Sequence, residues 1–172
     1  MHVYSYLIGI CLFVGLGLSA CTETPVQPPQ QVKTYMLAII NPPDQLPFEF
    51  EADEAIGDYK PGSGLLRIQA SSIWNGKDKF EFTIKEVKDG IVGEYPIGDF
   101  ESATANVRAE FFDSQNQWNA RSLSGTLKIE RFVAAEVENA YWLSGRFSFH
   151  ADSEGGEVEI TSGEIQNAVI LQ

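Results

Sequence analysis

The sequence predicts an all-β protein, a single antiparallel β-barrel or β-sandwich of about 8–10 strands over residues 34–172. Three observations carry this reading. Apolar and polar side chains alternate with a period of two along most of that span. Gly-containing turn dipeptides punctuate the alternation at hairpin spacing. Hydrophobic residues make up 44% of the chain and aromatic ones 12%, enough for a packed core and unlike a disordered composition.

In chain order, residues 7–20 form an apolar run without a charged side chain, Leu-Ile-Gly-Ile-Cys-Leu-Phe-Val-Gly-Leu-Gly-Leu-Ser-Ala. A spanning helix needs ~20 apolar residues, so the run has the length of a signal h-region. It closes on Leu18-Ser19-Ala20-Cys21. That tetrad resembles the lipobox of bacterial lipoproteins at every position. The resemblance implies a signal peptide over 1–20, cleavage before Cys21, and diacylglyceryl and fatty-acyl groups (palmitate among them) on Cys21. Two or three acyl chains anchor a protein stably without a transmembrane helix. In the same family, Asp after the Cys retains lipoproteins in the inner membrane. Thr22 in that place implies the outer membrane.

Residues 21–33 read as the lipidated Cys and a flexible tether. Pro25, Pro28, Pro29 and several Gln favour extended polyproline II. At ~3.1 Å per residue the tether reaches up to ~37 Å.

From residue 34 the strand pattern begins. Pro42, Pro43 and Pro47 follow an apolar stretch at 35–41, so the earliest strands are expected at sheet edges. Leu66, Ile68 and Ala70 alternate, then Phe80, Phe82 and Ile84, with Asn75-Gly76 as the turn between. Asp89-Gly90 leads to a strand near 91–95. Asp113-Ser114-Gln115-Asn116 joins 104–112 to 117–121. Residues 124–132 and 139–151 form a hairpin, connected through 133–139. Glu154-Gly155-Gly156 joins the second of these to 157–161, and Gly163 precedes a last strand at 164–171. Phe80, Phe82, Leu127, Ile129, Phe147, Phe149 and Ile160 are the expected core.

The C-terminal third carries a second resemblance. Ser124-Gly125-Thr126-Leu127-Lys128-Ile129, then Leu143-Ser144-Gly145-Arg146-Phe147-Ser148-Phe149, then Val158-Glu159-Ile160-Thr161-Ser162-Gly163-Glu164-Ile165 stand in order. The pattern resembles small lipoproteins of unknown function common in Bacteroidota. It covers about 125–166 and implies an outer-membrane-associated β domain, with no activity attached.

Composition excludes several function classes. With 12 basic against 24 acidic residues the net charge is −12, and no Lys/Arg cluster is present. Nucleic acid and anionic lipid surfaces are therefore not expected partners. The two Cys are Cys11 and Cys21, so the domain has no thiol for a disulfide, a zinc site or a nucleophile. His150 is the one His beyond the leader, and no Gly-x-Ser-x-Gly elbow accompanies it. Asp152, Glu154 and Glu157 flank a glycine turn, but their spacing departs from a calcium loop, and solubilising charge is the stronger reading. No cofactor, metal or catalytic residue is assigned.

Trp74, Trp118 and Trp142 fall at strand ends or on a nominally polar face. Trp142, Arg146 and His150 share the polar face of one strand. At ~7 Å between same-face neighbours they span ~14 Å, one or two sugar rings. Stacking on Trp142 with a hydrogen bond from Arg146 is one reading; packing of Trp142 against a neighbouring strand is the stronger one. The expected function is a membrane-anchored cell-envelope lipoprotein whose β domain is a non-enzymatic binding or accessory module of open molecular activity, with a glycan or an envelope protein as candidate partner. An envelope hydrolase acting on glycan or peptide, and a structural subunit of an envelope complex, are the alternatives. Scarcity of His weighs against the hydrolase, since proton transfer near neutral pH is most often done by that side chain.

Overall fold

The computed structural model describes residues 32–87, 90–101 and 104–172. The leader, Cys21 and the tether as far as residue 31 lie outside the described residues, as does Asp89 of the Asp89-Gly90 turn.

Ten strands form one sheet: β1 (Tyr35–Asn41), β2 (Phe48–Ala52), β3 (Ala55–Lys60), β4 (Leu65–Ser71), β5 (Lys79–Ile84), β6 (Gly93–Gly98), β7 (Val107–Asp113), β8 (Trp118–Ala134), β9 (Ala140–Ser153) and β10 (Gly156–Leu171). A single 3-10 turn, Pro61–Ser63, links β3 to β4. The all-β expectation holds, and ten is the upper end of the predicted strand count.

The sheet closes on itself. β3 pairs with β4, β4 with β5, β5 with β7, β7 with β8, β8 with β9, β9 with β10, and β10 returns to β3. Closure leaves no strand of that circuit at a free edge. Only the contact between β10 and β3 in this circuit is parallel; the rest are antiparallel. β6 lies along the middle of β8, and the β1–β2 hairpin lies along the first part of β10.

Three expectations need correction. β1 is not an edge strand: β2 covers one side and β10 the other, and β2 is the outer strand of this hairpin. The stretches 117–121 and 124–132 are one strand, β8, interrupted by a register shift between Ser122 and Ser124. Likewise 157–161 and 164–171 are one strand, β10, with shifts between Ile160 and Gly163 and between Ile165 and Ala168. Ser162 and Asn167 adopt positive φ there, 51° each, as bulges require. The bulges bend β10 so that it leaves β1 and meets β3. Gly163 lets the Phe147 ring pack close, because a Cβ at that position would lie 2.4–2.6 Å from its ring carbons.

All seven expected core residues are buried. The rings of Phe80, Phe82, Phe147 and Phe149 join Phe50 and Phe111 in one aromatic cluster: Phe80 lies 4.7 Å from Phe111 and 4.8 Å from Phe50, and Phe82 lies 4.8 Å from Phe147. Such pairs each add ~0.5–1.5 kcal/mol beyond area burial. Buried polar atoms are satisfied throughout: among the described residues no buried side-chain N or O lacks a partner.

Candidate functional site

β9 places Trp142, Arg146 and His150 on the outer face, with Leu143, Phe147 and Phe149 inward. Trp142 is half-buried; Arg146 and His150 are exposed. The three stand four residues apart rather than two. Eight residue steps at ~3.3 Å set the ends of the row ~26 Å apart, about twice the expected span. Each charge has its own partner. Arg146 Nε lies 3.8 Å from Glu130 Oε2, and His150 Nδ1 lies 2.8 Å from Glu157 Oε1. Arg146 borders a shallow groove of about 440 Å³ with Lys128, Phe147 and Glu164, which neither Trp142 nor His150 lines. The row therefore does not converge on one ligand-sized space.

A different region does converge. At one end of the domain three connections meet: the β1–β2 loop, the β4–β5 turn and the β7–β8 turn. Between them lies a cleft of about 480 Å³ lined by Gln45, Leu46, Trp74, Asp78, Asp113 and Gln115, with Phe48 and Phe50 of β2 at its floor. That volume is ordinary for a small-ligand site, ~300–1,000 Å³. Trp74 is 73% exposed and Leu46 87% exposed. Trp118, by contrast, is 9% exposed and packs edge-on against Phe111 at 5.6 Å.

Local sequence fixes each wall. In the β4–β5 turn, buried Ser72 accepts the Trp74 backbone N–H at 3.2 Å on its hydroxyl and the Gly76 N–H at 2.8 Å on its carbonyl. Asn75 Oδ1 accepts the N–H groups of Lys77 and Asp78 at 2.8 and 2.9 Å. Gly76 supplies the left-handed residue at φ 63° that this Asx turn needs. The side chain of Trp74 is thus carried on a hydrogen-bonded turn, exposed beside the cleft.

The β7–β8 turn is built in the same way. Asp113, 4% exposed, accepts from the backbone N–H groups of Gln115 and Asn116 and from Asn116 Nδ2 at 2.8–3.0 Å. Asp78 then ties the two turns together: its Oδ1 accepts the Ser114 hydroxyl at 2.6 Å and the Ser114 N–H at 2.9 Å. Burial pushes the Asp78 carboxyl up, but the bonds from Ser114 and from the Asn75 side chain outweigh it. The net effect holds the group below its ordinary value of 3.8.

Two further features bound the chemistry. Among the described residues no group of three or more His, Cys, Asp and Glu gathers to hold a metal ion, so Asp152, Glu154 and Glu157 do not form one. Among the same residues no helix is long and apolar enough to cross a membrane. The sequence pattern marks Trp74 only as a strand-end residue. The available signal was its place directly before Asn75-Gly76, since a turn has no inner face for an indole to occupy. No family model, no curated protein and no solved structure matches this chain.

Proposed function

We propose that this chain is a cell-envelope lipoprotein, anchored in the outer membrane through lipid on Cys21, whose β domain binds a ligand in the cleft at Trp74. The anchor reading is supported by Leu18-Ser19-Ala20-Cys21 and Thr22. One observation carries the binding reading: a 73% exposed Trp on a hydrogen-bonded turn lines a small-ligand-sized cleft.

Binding fits this cleft better than catalysis. Both oxygens of Asp113 and Oδ1 of Asp78 in its walls are taken by turn N–H groups, the Ser114 hydroxyl and the Asn116 amide. Those bonds keep Asp78 ionised, which makes it a poor proton donor. His150, the side chain best suited to proton transfer, does not line the cleft and is paired with Glu157.

Two experiments test the proposal. Cys21→Ala abolishes palmitate labelling and releases the protein from membranes; labelling that survives the substitution contradicts the anchor. Intrinsic fluorescence of the intact protein, titrated with soluble glycan and peptide fractions of a bacterial envelope, shifts and saturates. Trp74→Ala removes the shift and Trp142→Ala retains it. A saturable shift that survives Trp74→Ala moves the site elsewhere, and breakdown of the bound fraction during the titration favours a hydrolase.

A further inference from the structure

We infer that the cleft at Trp74 takes a neutral saccharide, an inference that rests on the binding reading above. A cationic ligand uses acceptors only, and an anionic ligand uses donors only; a sugar hydroxyl uses both. The lining contains no Lys or Arg, so a phosphate, sulfate or uronate would meet no positive charge there. It does contain the carboxylates of Glu49, Asp78 and Asp113, but both oxygens of Asp113 and Oδ1 of Asp78 are already committed. All of the contacts on Asp113 are turn N–H groups and the Asn116 amide, and Asp78 Oδ1 is filled by Ser114. These donors spread and offset the negative charge, so a cation would find a weaker field than the residue count suggests.

What stays available is a mixture suited to hydroxyls. Gln45 and Gln115 line the cleft with amide side chains that have no partner among the described residues. Each offers two N–H donors and a carbonyl acceptor. Asp78 Oδ2 and the exposed Glu49 carboxylate add acceptors. Trp74 supplies the apolar platform. The face of its indole is the negative part of the ring quadrupole, and the C–H bonds on one face of a pyranose present weak positive charge to it. Leu46 stands across the same cleft and covers further C–H surface. The two turns that carry Trp74 and Gln115 are joined by the Asp78–Ser114 bonds, so the platform and one amide wall are held in fixed relation before ligand arrives.

Isothermal titration of the intact lipoprotein with defined probes tests the assignment: cellohexaose, maltohexaose and chitohexaose as neutral saccharides, oligogalacturonate as an anion and oligolysine as a cation. At least one neutral saccharide binds, with an affinity unchanged from about 50 to about 500 mM salt, because no ion pair is formed. Trp74→Ala weakens it at least ~10-fold, and Gln115→Ala a few-fold. Trp142→Ala leaves it unchanged. Oligolysine binding that depends on Trp74 and fades with salt overturns the saccharide assignment while leaving the cleft as the site. Saccharide binding indifferent to Trp74→Ala overturns both. Silence from all three neutral saccharides overturns the assignment alone, and the envelope-fraction titration then decides the binding reading.

Discussion

Both ends of the domain carry aromatic side chains, and they use them in opposite ways. At the end formed by β3, the β8–β9 connection and the C-terminus, the rings satisfy one another. Phe132 stacks on Tyr141 at 4.7 Å and 11°, Tyr59 meets Phe132 edge-on at 6.2 Å, and the Tyr141 hydroxyl donates to Gln172 Oε1 at 2.7 Å. At the end formed by the 42–47, 72–78 and 113–117 connections, Trp74 has no ring or hydrogen-bond partner for its side chain among the described residues, and it remains 73% exposed. The comparison shows that aromatic content does not mark a site. A ring whose stacking surface is already used contributes to stability, and a ring held out rigidly with that surface unused is available to a ligand.

The largest effect expected from breaking the comparison lies at the closed end. Phe132→Ala removes a half-buried ring and its contacts with Tyr59 and Tyr141. It lowers unfolding free energy by about 2 to 3 kcal/mol in a denaturant titration and leaves ligand binding at the other end unchanged. A loss below about 0.5 kcal/mol would mean that the stack is ornamental and the two ends do not differ in the way described.

Next comes the bridge under the open end. Asp78→Ala leaves the Ser114 hydroxyl and N–H without their carboxylate and costs about 1 to 2 kcal/mol. Its pH dependence has a definite sign. The folded-state pKa lies below 3.8, so the stabilisation is fully present above that pH and is lost as pH falls through the lowered folded value. The stability gap between wild type and Asp78→Ala is therefore flat from about pH 5 to 8 and narrows below about pH 4. A gap that widens on acidification would contradict the assignment of the bridge to ionised Asp78.

Tyr141→Phe is smaller again. It removes one exposed hydrogen bond and keeps the stack, for a loss of about 0.5 to 1 kcal/mol by thermal unfolding. The smallest stability effect belongs to Trp74→Ala, within about 0.5 kcal/mol of wild type, because its side chain has no partner to lose. A large destabilisation by Trp74→Ala would make it a structural residue like Phe132.

Much of the fold was legible because the period of side-chain alternation equals the period of a strand. Phe80 and Phe82, or Phe147 and Phe149, can face the core together in no other regular structure. The 72–78 and 113–117 turns were legible because Asn, Asp and Gly carry their own backbone chemistry. The bulges were not. Ser162 and Asn167 insert residues without disturbing the count of apolar side chains, so one bent strand reads as two. The return of β10 to β3 was also hidden, since Val169 meets Ile56 across more than a hundred residues. The cleft escaped for a related reason. Alternation assigns faces only to strands, and it drew attention to Trp142 on β9, whereas the walls of the cleft come from three turns that are distant in sequence.

The binding proposal places ligand on Trp74 alone of the three tryptophans. The ¹H–¹⁵N spectrum of the intact protein contains one indole Nε1–H signal for each of Trp74, Trp118 and Trp142, assigned by single substitutions. Titration with a neutral oligosaccharide that binds by calorimetry shifts the Trp74 signal progressively to saturation and leaves those of Trp118 and Trp142 in place. A saturating shift of the Trp142 signal with that of Trp74 unmoved would put the site on the outer face of β9 and contradict the account.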